Sequence, residues 1–120
     1  MRLTVTSAGK KHRFTVEVAR TPEEQALGLM NRASLAPDRG MIFPLEPARQ
    51  ASFWMKNTLI PLDMIFVRAD GSIANIEANT VPLSLEPVYS DGEVGAVLEL
   101  VGGRAAELGI KPGDKVQWPR

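Results

Sequence analysis

The chain has 120 residues, the length of one domain, and its 44% hydrophobic and 23% charged content is typical of a globular protein. Its 14 basic and 14 acidic residues cancel, so we expect neither nucleic acid nor an anionic membrane as a partner. The chain has no cysteine and one histidine, which excludes disulfides, thiolate catalysis and a cluster of His ligands. The sequence therefore predicts no metal and no cofactor.

Targeting and membrane signals are also absent from the sequence. No stretch approaches the roughly 20 apolar residues of a membrane span. The first residues, MRLTVTSAG, lack the apolar core of a signal peptide. We therefore expect no membrane span and no leader in this chain.

The first third of the chain predicts two strands and a helix. Residues 2–7 and 12–19 alternate between apolar and polar side chains, and the residues between them favour a hairpin turn. The run TPEEQ follows, with Thr21 suited to cap a helix and Glu24 placed to complete a capping box. This pattern predicts a helix of about ten residues that ends near Asn31.

The middle of the chain predicts a loop over residues 34–40 and short strands over 41–45 and 51–57. Pro61 interrupts any continuous strand, because proline lacks the N–H group that a ladder needs. Two apolar runs then flank Asp70-Gly71, which predicts a hairpin over residues 62–79 with a type I′ turn.

The last third predicts a loop over residues 81–92, a strand from residue 95, a short helix that ends at Gly109, and a final strand after a Pro-Gly turn. No repeat or linker divides the chain, so we expect residues 1–120 to form a single domain. The fold class that these elements predict is α+β. We expect a compact, mostly antiparallel, strongly bent sheet or small barrel with two short helices.

One segment, SFWMKNTLIPLD over residues 52–63, mixes large apolar side chains with polar and charged ones. Strand alternation would place Trp54 and Lys56 on one face, where they can form a cation–π contact or line a pocket. Asp63 could pair with Lys56 or cap backbone N–H groups. An equally simple interpretation is structural, with Phe53 in the core and a turn after it that needs Asn and Pro for backbone reasons.

Other features of the sequence give weaker signals. Four methionines could suggest thioether copper binding, but they form no M-x-x-M run, and methionine is a common core residue. Gly102-Gly103-Arg104 precedes a predicted helix and could hold an anion, although a tight turn explains the glycines as well. The acids Glu23 and Glu24 fit the first turn of a helix better than an acid–base pair.

The segment SFWMKNTLIPLDMIF resembles the signature of a widespread, uncharacterised bacterial and archaeal family of small domains of unknown function. The helix TPEEQALGLMNR, the segment LAPDRGMIF, the DG hairpin and the close GIKPGD are also similar to that family. The resemblance implies a compact α+β domain with a barrel-like sheet and carries over no reaction. Many family members have export leaders, so it also implies an exported mature form.

Three functions remain open at this stage. The first is a small ligand-binding module with its site around residues 54–63. The second is a protein-interaction or cell-envelope accessory domain, with Phe53, Trp54 and Met55 as an exposed anchor. The third and least favoured is an enzyme in which Lys56 and Asp63 cooperate, and no catalytic residue is assigned. The candidate ligand-binding residues are Trp54, Lys56, Asn57, Thr58, Asp63, Arg32 and Arg39.

Overall fold

A computed structural model describes residues 1–120 and contains seven strands and two short helices. The strands are β1 (Arg2–Ser7), β2 (Lys10–Val18), β3 (Arg39–Phe53), β4 (Leu62–Val67), β5 (Ile73–Glu77), β6 (Val88–Val101) and β7 (Lys115–Gln117). The helices are α1 (Pro22–Leu27) and α2 (Arg104–Leu108). Neither helix has the length or the apolar character that crossing a bilayer requires.

All seven strands belong to one sheet in the order β5-β4-β6-β3-β2-β1-β7. Every neighbouring pair is antiparallel except β2 and β3, which run parallel. The sheet curls, so that the start of β5 meets β7. The N–H of Ile73 donates to the carbonyl of Asp114 at 2.8 Å, and Ser72 forms a bridge with Lys115. The two edge strands share only this isolated bridge and no ladder, so the predicted bent sheet is a half-barrel and not a fully closed barrel.

Both faces of the curled sheet are covered, which explains why β4 and the second half of β6 have so few exposed residues. Alternate residues of β6 point to opposite faces. Leu98 packs in a core inside the half-barrel with α2, whereas Val97 packs in a second core beneath the α1 region. The second core contains Leu29, Met41, Phe43, Met55 and Met64, among others.

Helix α1 begins as predicted but ends earlier. Thr21 and Glu24 form the expected capping box. The helix stops at Leu27, because Gly28 takes a positive φ of 49°. A Cβ atom at Gly28 would lie 3.4 Å from the ring of Phe43, so glycine also permits close packing on β3. The prediction of a ten-residue helix was therefore wrong.

Strand β3 is one strand of 15 residues, where the sequence predicted two short ones. Its two prolines are tolerated because the pairing with β6 shifts register between Pro44 and Arg49. Strand β3 ends at Phe53, so the predicted strand over residues 51–57 was wrong beyond that point. Strand β6 begins at Val88, and the predicted loop over residues 81–92 is therefore too long.

The hairpin of β4 and β5 is confirmed, but its turn type is not. A type I′ turn needs positive φ at both central residues, and only Gly71 has it, at 93°. Asp70 keeps a negative φ, and its carboxylate accepts a hydrogen bond from the N–H of Ser72 at 2.9 Å. The turn is therefore stabilised by the side chain of Asp70 and not by a left-handed backbone conformation at that residue.

Candidate ligand site

The motif segment leaves the sheet after Phe53 and forms a turn that ties three parts of the chain together. The N–H of Met55 donates to the carbonyl of Ser84 at 3.0 Å. Asn57 has a positive φ of 55°, which asparagine tolerates better than most residues. Its carbonyl accepts a hydrogen bond from the N–H of Asn31 at 2.8 Å, just beyond α1. Asn57 therefore has a backbone role.

Trp54 and Lys56 meet across this turn. The Nζ atom of Lys56 lies 5.2 Å from the centroid of the Trp54 ring, within the range of a cation–π contact. Trp54 is 47% exposed, and Lys56 is also exposed. The ring thus presents apolar and cation-attracting surface to solvent at the rim of the sheet.

Asp63 lies elsewhere, at the start of β4, and is fully buried. Its carboxylate accepts hydrogen bonds from the backbone N–H groups of Asn79 at 3.0 Å, Gly103 at 3.0 Å and Ala105 at 2.9 Å. It forms no ion pair with Lys56. The pairing of Lys56 with Asp63 that an enzyme was expected to need is therefore not formed, and Asp63 caps backbone groups instead.

The same three hydrogen bonds explain the glycines before α2. The N–H of Gly103, considered above as part of an anion site, is occupied by the Asp63 carboxylate. A Cβ atom at Gly102 would lie 2.6 Å from Oδ1 of Asn79 and 3.0 Å from Cβ of Pro61, so this position requires glycine. Pro61 of the motif therefore packs closely against the backbone of Gly102.

A cavity of about 230 Å³ lies between α1, the turn that follows it and the concave part of β3. Trp54 and Thr58 bring the motif segment to this cavity, and Gly28 forms part of its wall. Its lining residues are mainly apolar or aromatic: Gln25, Ala26, Leu27, Gly28, Leu29, Met30, Phe43, Leu45, Arg49, Ser52, Phe53, Trp54, Thr58 and Glu99.

Gln25 holds α1 against the sheet and so keeps this cavity in shape. Its side-chain amide donates to the carbonyl of Ala19 at 3.0 Å and to the carbonyl of Pro44 at 2.8 Å. Both acceptors belong to the segments that flank the helix and the cavity. Since α1 has only six residues and buries none of them, these two bonds help to hold it, one to the segment after β2 and one to β3.

Glu99 is the acidic residue of the cavity, and it comes from the central strand β6. It pairs in register with Met41 on one side and Met64 on the other, and only 4% of its surface is exposed. Its carboxyl group has no hydrogen-bond partner in the chain. Burial alone raises the pKa of Glu99 from 4.5 to about 8, because the apolar surroundings disfavour the charged form.

The two candidate arginines lie outside this cavity. Arg32 donates to both carboxylate oxygens of Glu17, one of them at 2.9 Å, and this pairing lowers the pKa of Glu17. Arg32 and Arg39 line a separate hollow beside β2 that contains neither Trp54 nor Thr58. Their side chains are therefore not brought to the motif segment, as the sequence had suggested they could be.

The structure thus brings together only part of the predicted set. Trp54 and Thr58 line the cavity, and Lys56 lies beside it on the Trp54 ring. Asn57, Asp63, Arg32 and Arg39 lie elsewhere. Sequence reasoning missed Glu99. The sequence does contain a signal for it, because Glu99 is an acid inside the apolar run AVLELV, which is typical of a strand buried on both faces.

The comparisons with known proteins point to one family. Residues 3–118 match the model of the family DUF192, described as "Uncharacterized ACR". A crystal structure of a protein of unknown function from Novosphingobium aromaticivorans is 53% identical, with a TM-score of 0.95 over 98% of this chain and 84% of that one.

A second structure, from Sinorhizobium meliloti, carries the description "putative transcription regulator". It is 43% identical, with a TM-score of 0.94 over 97% of this chain and 91% of that one. No curated protein matches the chain. Because the family model spans nearly all of the sequence, the chain belongs to the uncharacterised DUF192 family.

Proposed function

We propose that this protein is a small-molecule binding module whose site is the cavity between α1 and β3. The observation that carries the proposal is the composition of the cavity wall, which joins the motif residues Trp54 and Thr58 to apolar side chains and to one buried acid, Glu99. Ligand sites are mostly apolar concavities with a few polar groups that fix orientation.

The size of the cavity limits the ligand. Its 230 Å³ is below the range of about 300–1,000 Å³ that is usual for sites of drug-sized molecules. The proposed ligand is therefore a compact molecule of few heavy atoms. Trp54, at the rim and half exposed, would cover it on one side.

Fluorescence of Trp54 gives a direct test. The chain has two tryptophans, and Trp118→Phe would leave Trp54 as the single reporter. We expect compact amines, alcohols and carboxylates, screened one at a time, to include at least one that changes Trp54 emission in a saturable way. The same compound should raise the melting temperature, since binding to the folded state stabilises it.

A variant that blocks the cavity supplies the control. Ser52 lines the cavity but is exposed on β3, so Ser52→Phe places a ring at the mouth and keeps strand-forming character. Thr15→Phe makes a matched change at an exposed position of β2 outside the cavity. Binding should be lost in the first variant and kept in the second. A compound that binds both equally well does not use this cavity, and a screen without any saturable response would contradict the proposal.

The second candidate is a protein-interaction domain, and one observation favours it. Trp54 and Leu85 line a shallow hollow, and the chain exposes further large apolar side chains: Leu59, Val81, Leu83 and Tyr89. The hollow shares Ser52, Phe53 and Trp54 with the cavity, whereas Leu85 belongs to the hollow alone. Leu85→Ser should then weaken partner binding, measured for a second copy by sedimentation over a range of concentrations, without affecting ligand binding at Trp54.

We also propose that the chain does not bind nucleic acid. The equal numbers of basic and acidic residues support this, because non-specific DNA affinity depends on an excess of positive charge. The description of the Sinorhizobium relative as a "putative transcription regulator" suggests a different role for that protein.

A further inference from the structure

The carboxyl group of Glu99 forms no hydrogen bond within the chain. It lies on the cavity wall, in a residue with only 4% of its surface exposed. A carboxyl group removed from bulk water without a hydrogen bond is unfavourable. A ligand that supplies the missing partner would relieve this, so Glu99 is the feature most able to select the ligand.

The charged groups near Glu99 are few. On β3 and β4, its neighbours in register are Met41 and Met64, which are neutral. Asp63 on β4 alternates to the opposite face and is held by backbone N–H groups. Arg49 is the only other ionisable residue that lines the cavity, and it is exposed.

Helix α1 adds no charged side chain to the cavity wall. The acids of α1, Glu23 and Glu24, lie in its exposed first turn, and the Glu24 carboxylate is occupied by the backbone N–H groups of Arg20 and Thr21. Glu23 and Glu24 do not line the cavity. Glu99 therefore has no cationic partner within the chain.

We propose that the cavity selects a compact apolar primary amine, whose ammonium group is bound by the Glu99 carboxylate while its hydrocarbon part contacts Leu29, Phe43 and Trp54. This inference rests on the proposed binding function and names the chemical class of its ligand. An ammonium group brings both the hydrogen-bond donors and the opposite charge that Glu99 lacks.

The rim of the cavity presents the Trp54 ring, whose face attracts cations. The ammonium group of Lys56 lies 5.2 Å from the centroid of that ring and opposes a second cation, but Lys56 is exposed and solvent screens its charge. Once Glu99 is ionised, its carboxylate has no proton to donate to an anionic ligand and repels it. Arg49 opposes a cation, but it is exposed and its charge is screened by solvent.

Binding of an amine has a proton balance that can be measured. Free Glu99 is protonated at pH 7, since its pKa is about 8. The bound pair consists of a carboxylate and an ammonium ion, so the carboxyl proton is released to the buffer. Alkylamines stay protonated up to about pH 10, as lysine does. Affinity should therefore rise about tenfold from pH 6.5 to pH 8 and then level off.

The experiment compares isopentylamine with isopentyl alcohol, a neutral probe of nearly the same shape. Both are titrated into the Trp118→Phe protein, with Trp54 emission as the readout. Calorimetry in two buffers of different ionisation enthalpy then counts the protons released. We expect the amine to bind at least tenfold more tightly than the alcohol at pH 8, with close to one proton released per amine at pH 6.5 to 7.

Variants at Glu99 separate the amine proposal from the binding function itself. Glu99→Gln should lose most of the amine affinity and all of its pH dependence, while the alcohol binds as before. The pH dependence of the unmodified site gives the same information if that variant does not fold. If the alcohol binds as tightly as the amine, or if the amine binds more weakly as the pH rises, the cavity binds ligands but the amine proposal is wrong. If neither probe binds, and the screen also finds no compound, both proposals are wrong.

Discussion

The carboxylate of Asp63 accepts a hydrogen bond from the N–H of Ala105 at 2.9 Å, although the two residues are 42 positions apart. With the N–H groups of Gly103 and Asn79, this makes Asp63 the point where β4, α2 and the segment after β5 are joined. The one acidic residue of the motif is therefore its most buried one, and its role is structural.

Replacing this carboxylate by an amide should be costly. In Asp63→Asn, the amide NH₂ must face at least one of the three backbone N–H groups, which leaves buried donors unpaired. We expect the free energy of unfolding to fall by about 3 kcal/mol, the scale of a lost charge-assisted hydrogen bond and an unsatisfied group. Urea denaturation followed by far-UV circular dichroism would measure it.

A matched substitution at Asp70 provides the control for that experiment. Asp70 also accepts a backbone N–H bond, from Ser72, but in an exposed turn where water can replace it. Asp70→Asn should lower the free energy of unfolding by less than about 1 kcal/mol. Equal losses at both positions would show that the buried network around Asp63 has no special stabilising role.

Glu99 should give the unliganded protein an unusual pH dependence of stability. Its pKa is about 8 in the folded state and near 4.5 when exposed, so between these values the folded state binds more protons than the unfolded state. Glu99 therefore does not reduce the free energy of unfolding below pH 4.5, and the free energy of unfolding falls as the pH rises from there towards 8. The slope should approach about 1.4 kcal/mol per pH unit, measured as the free energy of unfolding between pH 5.5 and 8.

Two variants test whether Glu99 is the cause of that slope. Glu99→Gln should make stability nearly flat between pH 5.5 and 8, and Glu99→Met should be more stable than the wild type at pH 8, since it removes a buried carboxyl between two methionines. The carboxylates with lowered pKa values, such as Glu17, lose their stabilising effect only as the pH falls below this window. A slope that persists in both variants would locate the titrating group elsewhere.

Lys56 should matter little for folding. It contacts the Trp54 ring in an exposed setting, where a cation–π contact contributes about 0.5–1 kcal/mol. Lys56→Ala should therefore lower the melting temperature only slightly, while the emission of Trp54 changes. Arg120→Ala removes the equivalent contact with Trp118, 4.3 Å from the ring centroid, and serves as the comparison. A loss of several kcal/mol in Lys56→Ala alone would assign Lys56 a structural role that its contacts do not suggest.

Duplex DNA should bind weakly, if at all. The net charge is zero, and the affinity of a non-specific DNA binder falls steeply with salt because it depends on phosphate neutralisation. We expect no mobility shift of a duplex of mixed sequence at 150 mM salt with micromolar protein. A shift that weakens tenfold or more when the salt is doubled would contradict this and support the function named for the Sinorhizobium relative.

The order of the strands along the chain could be read from the sequence, because alternation and turn residues are local signals. The capping box at Thr21 and the stop at Gly109 were read correctly for the same reason. The single long strand β3 was not, since a register shift that accommodates Pro44 depends on the partner strand β6. Propensity carries no information about that partner.

The candidate site was harder to predict than the fold, for a related reason. The sequence grouped Trp54, Lys56 and Asp63 because they are close in the chain. Trp54 and Lys56 do meet, but Asp63 lies apart from them, buried against residues about 40 positions away. Glu99 comes to the cavity from a distant strand, and only its position inside an apolar run marked it as unusual.

The pairing of β1 with β7 has a consequence for how the protein folds. It sets Val5 beside Val116, and the parallel contact of β2 with β3 also spans a helix and a loop. Contacts between residues so distant in sequence require large loops to close before any energy is gained, and proteins rich in them fold in about milliseconds to seconds. We therefore expect slow folding, with β7 joining the sheet late and the cavity side, built from β3 and β6, ordered before it.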